Sequence, residues 1–256
     1  MEVTILGSGT AVPVADRFPS GVLVVIGSQV IVVDMGPGVL RRLAQAGYGP
    51  DQITTVLITH FHTDHTADLA ALLFALRNPK LATRPPLTIL GPHGLIGLIE
   101  GLTAVWPWLR PKNYSLEVRE IEPGTYPLGS AELTAVSIEH TPVSLAYRIS
   151  DEHGTSVALS GDADVCEGLA EVARRADLFI CEAAFPDQER TAGHLTPSLA
   201  GAGDEDAQAE VLCLTHFYPE CEGHDLRAQA ESTYSGEVVL AEDLMRFVLE
   251  PDRKGP

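Results

Sequence analysis

The stretch Thr59-His60-Phe61-His62-Thr63-Asp64-His65 constrains this chain more than any other, because it sets four metal-competent side chains directly after the apolar run at residues 53–58. A β-branched run of that kind reads as a buried strand. The four side chains then stand at a strand's C-terminal end, where open α/β sheets place their sites. His60 and His62, two apart in extended chain, can point to one side, while Asp64 and His65, past the bend, can face a second point in space. The plain alternative is a surface loop that happens to hold three histidines. Neutral imidazoles and a carboxylate at this density favour a first-row metal site over it.

The remaining pattern is that of alternating strands and helices. Residues 3–6 read as a first strand, and 22–26 with 30–33 as a hairpin around Gly27-Ser28-Gln29. The Gly7 to Thr10 loop lacks the third glycine of a dinucleotide fingerprint, and Pro13 interrupts any following helix, so it reads as a close turn. Asp34, ahead of an amphipathic helix over 39–46, reads as a cap or loop brace more readily than as a ligand. Leu69, Leu72, Leu73 and Leu76 have helical period, which puts His65 near a helix start. A strand over 87–90 and a helix over 95–105 follow, with Trp106 and Trp108 expected to pack into the core, and lining of a substrate cleft as the second reading. Residues 116–121 and 133–138 read as paired strands, 145–149 and 156–159 as a hairpin, and a helix over 165–174 precedes a strand over 178–181. Hairpin, acidic turn, helix and strand thus occur over 21–60 and again over 145–182, which predicts two similar layers packed face to face.

The 256 residues are 45% hydrophobic, and nothing among them reads as a linker, so one domain over 1–256 is expected. No apolar run reaches the roughly 20 residues of a membrane span, and residues 1–3 enter a strand without a basic leader. The expectation is a cytoplasmic protein with no membrane partner. Cys166, Cys181, Cys213 and Cys221 lack paired spacing and read as thiols, Cys181 and Cys213 in the core. Cys221 and His224 are too few for a closed structural metal site, and His93 and His153 read as turn residues. The net charge of −18 repels polyanions unless a local basic patch overrides it. Arg77, Lys80, Arg84, Arg110 and Lys112 are the candidates for such a patch and read as solvated loop charges.

His60-Phe61-His62-Thr63-Asp64-His65 resembles the H-x-H-x-D-H signature of the metallo-β-lactamase superfamily. Ile5-Leu6-Gly7-Ser8-Gly9-Thr10, with Pro13 and Arg17, is similar to the opening of its ribonuclease Z, phosphodiesterase and arylsulfatase branch. Glu139-His140-Thr141-Pro142, Ser160-Gly161-Asp162-Ala163 and Leu214-Thr215-His216-Phe217-Tyr218-Pro219 follow in the family's order. The resemblance implies an α/β fold, a four-layer αββα sandwich with the metal loops along one edge. It implies that His60, His62 and His140 hold one metal, that Asp64, His65 and His216 hold the other, and that Asp162 bridges them. It makes Asp64 and His194 the catalytic residues. His194, in Gly193-His194-Leu195-Thr196-Pro197, stands just before a helix capped by Thr196 and matches a histidine that binds or protonates the scissile phosphate. Glu182 matches the glutamate of the family's His-Glu-Ala-Thr stretch, with Cys181 and Ala184 in place of histidine and threonine, which leaves its role open. A homodimer, paired through helices near the metal loop, is implied as well.

Two divalent cations about 3.5 to 4 Å apart can share a hydroxide of pKa near ~7 and stabilise both attacking and leaving oxygens at phosphorus. An all-imidazole and carboxylate ligand set makes Zn2+ the first choice, with Mn2+ or iron as alternatives. Related diiron oxidoreductases carry a glutamate where this chain has His62, and its absence favours hydrolysis. The long basic arm of tRNA 3′ processing enzymes lies between the positions of His140 and Asp162, where this chain has a short hairpin with an acidic turn, Asp151-Glu152-His153. The sequence therefore predicts a phosphodiesterase for small or cyclic phosphodiesters, acting through a metal-bridging hydroxide on a small-molecule ester rather than on structured nucleic acid. Arylsulfatase-like cleavage, lactone or thioester hydrolysis and ribonuclease Z-type tRNA 3′ cleavage are alternatives within the same chemistry. A non-catalytic metal-binding scaffold ranks last, since all seven ligand positions are filled.

Overall fold

The computed structural model describes residues 1–81 and 85–251, so Arg84 lies outside the described residues. The first half of the chain runs β1 (Glu2–Gly7), β2 (Gly21–Ile26), β3 (Gln29–Val33), α1 (Val39–Gln45), β4 (Thr55–Leu57), α2 (Thr63–Thr66), α3 (Asp68–Ala75), β5 (Leu87–Gly91), α4 (Leu95–Val105) and β6 (Leu116–Glu120). The second runs β7 (Gly124–Leu128), β8 (Ala131–Ser137), β9 (Leu145–Ser150), β10 (Ser156–Leu159), α5 (Glu167–Ala173), β11 (Leu178–Glu182), α6 (Pro197–Ala207), β12 (Val211–Thr215), α7 (Leu226–Glu231), β13 (Glu237–Leu240) and β14 (Arg246–Val248). Two seven-stranded mixed sheets result, ordered β14-β1-β2-β3-β4-β5-β6 and β13-β12-β11-β10-β9-β8-β7.

Strand alternation sorts the apolar side chains between faces. Val3, Ile5, Val24 and Ile31 of the first sheet meet Tyr147, Leu178, Ile180 and Cys213 of the second in a core between the sheets. Their neighbours Leu6, Leu23 and Val32 turn outward onto Leu43, Leu72 and Ile99 of α1, α3 and α4. On the far side Phe179, Cys181 and Leu214 meet Leu169, Ala200 and Leu226 of α5, α6 and α7. Three cores separate four layers, the expected αββα sandwich. Each fully buried Leu, Ile, Val or Phe contributes about 1.5 to 3 kcal/mol of hydrophobic stabilisation. Among the described residues no helix is long and apolar enough to cross a membrane.

Two expectations are corrected. The strands at 116–121 and 133–138 do not pair: β6 lies beside β5 in the first sheet, and β8 lies between β7 and β9 in the second. Pro127 hides β7 from a sequence reading, since proline cannot donate a ladder bond, and it is tolerated because β7 is an edge strand. Trp106 and Trp108 are 42% and 52% exposed rather than core, because the turn after α4 buries only Leu109 of its three residues.

The site is positioned by a tie between the sheets. The Tyr147 hydroxyl on β9 donates to the Ile58 carbonyl at 2.7 Å, and the Leu145 N–H donates to the Thr59 carbonyl at 3.0 Å. These bonds hold the chain after β4 against the second sheet.

Candidate metal centre

The side chains singled out in the sequence converge on one rim, each from a strand's C-terminal end. His60, His62, Asp64 and His65 follow β4, His140 follows β8, Asp162 follows β10 and His216 follows β12. Ligand atoms of His60, His62, His140 and Asp162 lie within 4.8 Å of one another, as do those of Asp64, His65 and His216. Gly161, at φ +62°, makes the turn into Asp162, and a Cβ there would fall 2.9 Å from Cβ of Thr59. His216 itself adopts φ +63°, a left-handed conformation rare for a residue with a side chain.

Hydrogen bonds behind the cluster aim the imidazoles. Asp34 accepts the Thr59 N–H and the Thr59 hydroxyl at 2.9 Å each, and the His65 Nδ1–H at 2.8 Å. With its own proton on Asp34, the Thr59 hydroxyl accepts the His60 Nδ1–H at 3.0 Å. The Gly193 carbonyl accepts the His140 Nδ1–H at 2.7 Å. His60, His65 and His140 therefore all turn Nε2 inward, the usual arrangement behind metal-binding histidines. Asp34 is thus a brace, one of the readings the sequence allows. The cap of α1 is Asp68, which accepts the Gly38 and Leu40 N–H groups at 3.0 Å each.

Asp162 lies between the two groups with one oxygen toward each. Its Oδ2 is 3.7 Å from Nε2 of both His60 and His140, and its Oδ1 is 3.1 Å from Nε2 of His65 and 3.2 Å from Nε2 of His216. Asp64 Oδ2 is 3.4 Å from His216 Nε2 and accepts the Ala11 N–H at 3.1 Å, so the loop after β1 closes over this end.

The electrostatics of the cluster suit bound cations. Burial, with the field of His65, lowers the His60 pKa to about 2 and leaves the ring neutral. Burial alone would also lower His65, but Asp162 and Asp34 outweigh it and hold that ring well above its ordinary value. Burial alone would raise Asp162, and the surrounding His216, His65 and His60 keep it well below the usual carboxylate range. Two buried carboxylates thus face a ring of imidazoles in which His65 keeps a proton between Asp34 and Asp162, a proton that a bound cation would replace. Nε2 of His65 is 3.4 Å from Nε2 of His216, and Nε2 of His140 is 3.2 Å from Nδ1 of His62. His60 Nε2 is buried without a hydrogen-bond partner among the described residues. A buried donor set of this composition fits divalent metal, since an unpaired buried polar atom is otherwise costly.

His194 borders the cluster, its ring 5.0 Å from that of His140 and 5.8 Å from that of His216. It precedes α6, which has Thr196 at its N-cap and Pro197 at its first position, as expected. The structure pairs it with Glu182, the residue whose role the sequence leaves open. Phe185 and Tyr218, to which the sequence reading assigns nothing, also stand beside His194. The available signal is their position, three residues after Glu182 and two after His216 at strand ends. A cleft of about 340 Å³ runs from Asp64 past Pro13, Phe18 and Pro37, and another of about 240 Å³ lies beside the His140 loop, along Glu139 and Pro142.

Residues 29–217 match the family model described as a beta-lactamase superfamily domain. The chain is 31% identical to ribonuclease Z of Mycolicibacterium gilvum (strain PYR-GCK), over 98% of this chain and 97% of that protein. Its fold matches the metallo-beta-lactamase fold protein YhfI from Bacillus subtilis with a TM-score of 0.84 at 27% identity, covering 96% of this chain and 98% of YhfI. It matches the short form of human tRNase Z with a TM-score of 0.80 at 25% identity, covering 98% and 100% of the two chains.

Proposed function

The chain belongs to the metallo-β-lactamase superfamily, in the ribonuclease Z branch, and is a metal-dependent hydrolase; from that premise we propose that it cleaves phosphodiesters with two metal ions. The observation that carries this is the division of Asp162 between two groups of imidazoles, Oδ2 toward His60 and His140 and Oδ1 toward His65 and His216. His60, His62 and His140 would hold one cation, Asp64, His65 and His216 the other, with Asp162 shared and zinc as the resident metal. Such a pair, when bound, supplies Lewis-acid charge to phosphoryl oxygens and lowers the pKa of water. Around it Asp34 and Thr59 orient His65 and His60, and His194 holds a proton at the edge of the cluster for the departing oxygen.

For the substrate, similarity to ribonuclease Z over nearly the full length of both chains weighs toward RNA more than toward the small or cyclic diesters that the sequence places first. It weighs equally against the expectation that structured nucleic acid is an unlikely partner. A second reading, a small diester, is favoured by one feature: β9 and β10 are joined by residues 151–155, where Asp151 accepts the His153 and Thr155 N–H groups at 2.9 Å each, in a tight acidic turn. A single domain, homodimeric assembly and a cytoplasmic location complete the proposal. The test is a comparison of a tRNA precursor with a 3′ extension, bis(p-nitrophenyl) phosphate, an aryl sulfate and a lactone on one Zn2+-loaded preparation. Cleavage of the RNA at its 3′ side supports the first reading. Turnover of the diester alone supports the second, and turnover of sulfate or lactone alone overturns both.

A further inference from the structure

Phe185 and Tyr218 follow the ends of β11 and β12, and their backbones are locked together. The Tyr218 N–H donates to the Ala184 carbonyl at 3.2 Å, the Ala183 N–H to the Thr215 carbonyl at 2.9 Å, and the Cys221 N–H to the Tyr218 carbonyl at 3.0 Å. The two rings are stacked, with centroids 4.7 Å apart and planes 15° from parallel. Both meet the His194 ring at steep angles, 72° for Phe185 and 71° for Tyr218, so the stack stands beside His194 at the edge of the metal cluster.

Core packing does not account for them. Each ring is half-buried, and neither belongs to any of the three apolar cores. Tyr218 lines a cavity of about 810 Å³ that Phe185 does not reach. Phe185 covers one face of Tyr218, and Tyr218 is the ring of the pair that reaches this cavity. The cavity is within the size range of small-molecule sites. Of the guanidiniums on this side Arg42 is paired with Asp243 and Arg190 with Asp164, while Arg17 is held by the neutral Ser8 hydroxyl and Ala241 carbonyl and lines the same cavity as Tyr218. In a chain of net charge −18, the flat aromatic surface adds a contact that does not depend on charge.

We propose that Tyr218, backed by Phe185, is a stacking subsite for a nucleobase carried by the ester whose phosphate lies on the metal cluster. Base stacking on a protein ring tolerates any base and does not depend on phosphate neutralisation. The inference rests on the phosphodiesterase reading for its substrate and deepens it to nucleotide esters.

The test uses binding rather than turnover. Calorimetry on the Zn2+-loaded protein gives the affinities of thymidine 5′-monophosphate and inorganic phosphate, and their ratio cancels effects shared through the metals. In the wild type the nucleotide should bind about 5- to 150-fold more tightly than phosphate, the range expected for one base stacked on one ring. Tyr218→Leu should bring the ratio close to one, Phe185→Leu should lower it, and Tyr218→Phe, which keeps the ring, should preserve it. Zinc content and near-ultraviolet circular dichroism accompany each variant, and Phe185→Leu carries the test if Tyr218→Leu misfolds. A wild-type ratio near one, or an unchanged ratio in the leucine variants, overturns the subsite. Loss of the ratio in Tyr218→Phe assigns recognition to the hydroxyl and also overturns stacking. Hydrolysis of thymidine 5′-(p-nitrophenyl) phosphate is scored separately, so failure of the phosphodiesterase reading is seen apart from failure of the ring subsite.

Discussion

Nδ1 of His194 lies 2.9 Å from Oε1 of Glu182, and Glu182 is itself fixed by the N–H groups of Ala163, Ala184 and Leu195 at 2.8 to 3.1 Å. A buried carboxylate held by three backbone donors cannot swing away, so the imidazole it orients is equally fixed. Burial alone would lower the His194 pKa, and the Glu182 hydrogen bond and charge outweigh it, giving a net raised value. The ring keeps a transferable proton to higher pH than a free histidine does.

His194→Ala should therefore slow cleavage of an unactivated diester by about 10²- to 10⁴-fold, the usual loss when proton transfer is removed. The defect should shrink for a nitrophenyl ester, whose leaving group departs without a proton. Both metals should stay bound, as metal analysis would show. Activity carried by the protonated ring falls as pH rises through the raised pKa, and Glu182→Gln should shift that limb of the rate profile to lower pH.

Asp34 accepts from both Thr59 and His65, and through Thr59 it also orients His60. Asp34→Ala should weaken metal binding by about 10- to 100-fold, as loss of a carboxylate behind a ligating histidine does. Competition with a chelator of known affinity measures it. Unchanged affinity would show that the imidazoles are held without the carboxylate.

Much of the site was legible because metal chemistry admits few residue types. The density of ligands after residue 58 was readable from local pattern, whereas His140, Asp162 and His216 were picked out by their resemblance to the family's motifs and their order. The pairings behind them were not: Asp34 meets His65 across 31 positions, and Glu182 meets His194 across 12, through backbone turns that local pattern does not encode. For the fold, apolar β-branched runs located β1 to β6 and β8 to β11, while β13 and β14 were not read and Pro127 masked β7, which misassigned the partners of β6 and β8. Trp106 and Trp108 show the limit of composition, since large apolar side chains also remain on surfaces.

Asp204 on α6 is fully buried in the described structure, with Oδ1 accepting the Ala209 N–H at 3.3 Å and Oδ2 lacking a partner. Burial raises its pKa from 3.8 to about 6. The folded state then holds a proton that the unfolded state releases, so this contribution to stability is full below pH ~4 and is lost as pH rises through ~6. Asp204→Asn should stabilise the protein at pH 7 by on the order of 2 kcal/mol and have little effect at pH 4. Thermal unfolding at the two pH values checks the sign, and equal shifts at both would contradict it.

The two-metal reading is tested most directly by titrating chelator-stripped protein with Zn2+ while following bis(p-nitrophenyl) phosphate turnover in the same samples. The division of Asp162 between the two imidazole groups predicts two equivalents bound per chain, with turnover reaching its maximum only as the second is taken up. Saturation at one equivalent, or two equivalents bound with no diester cleaved, would contradict the account.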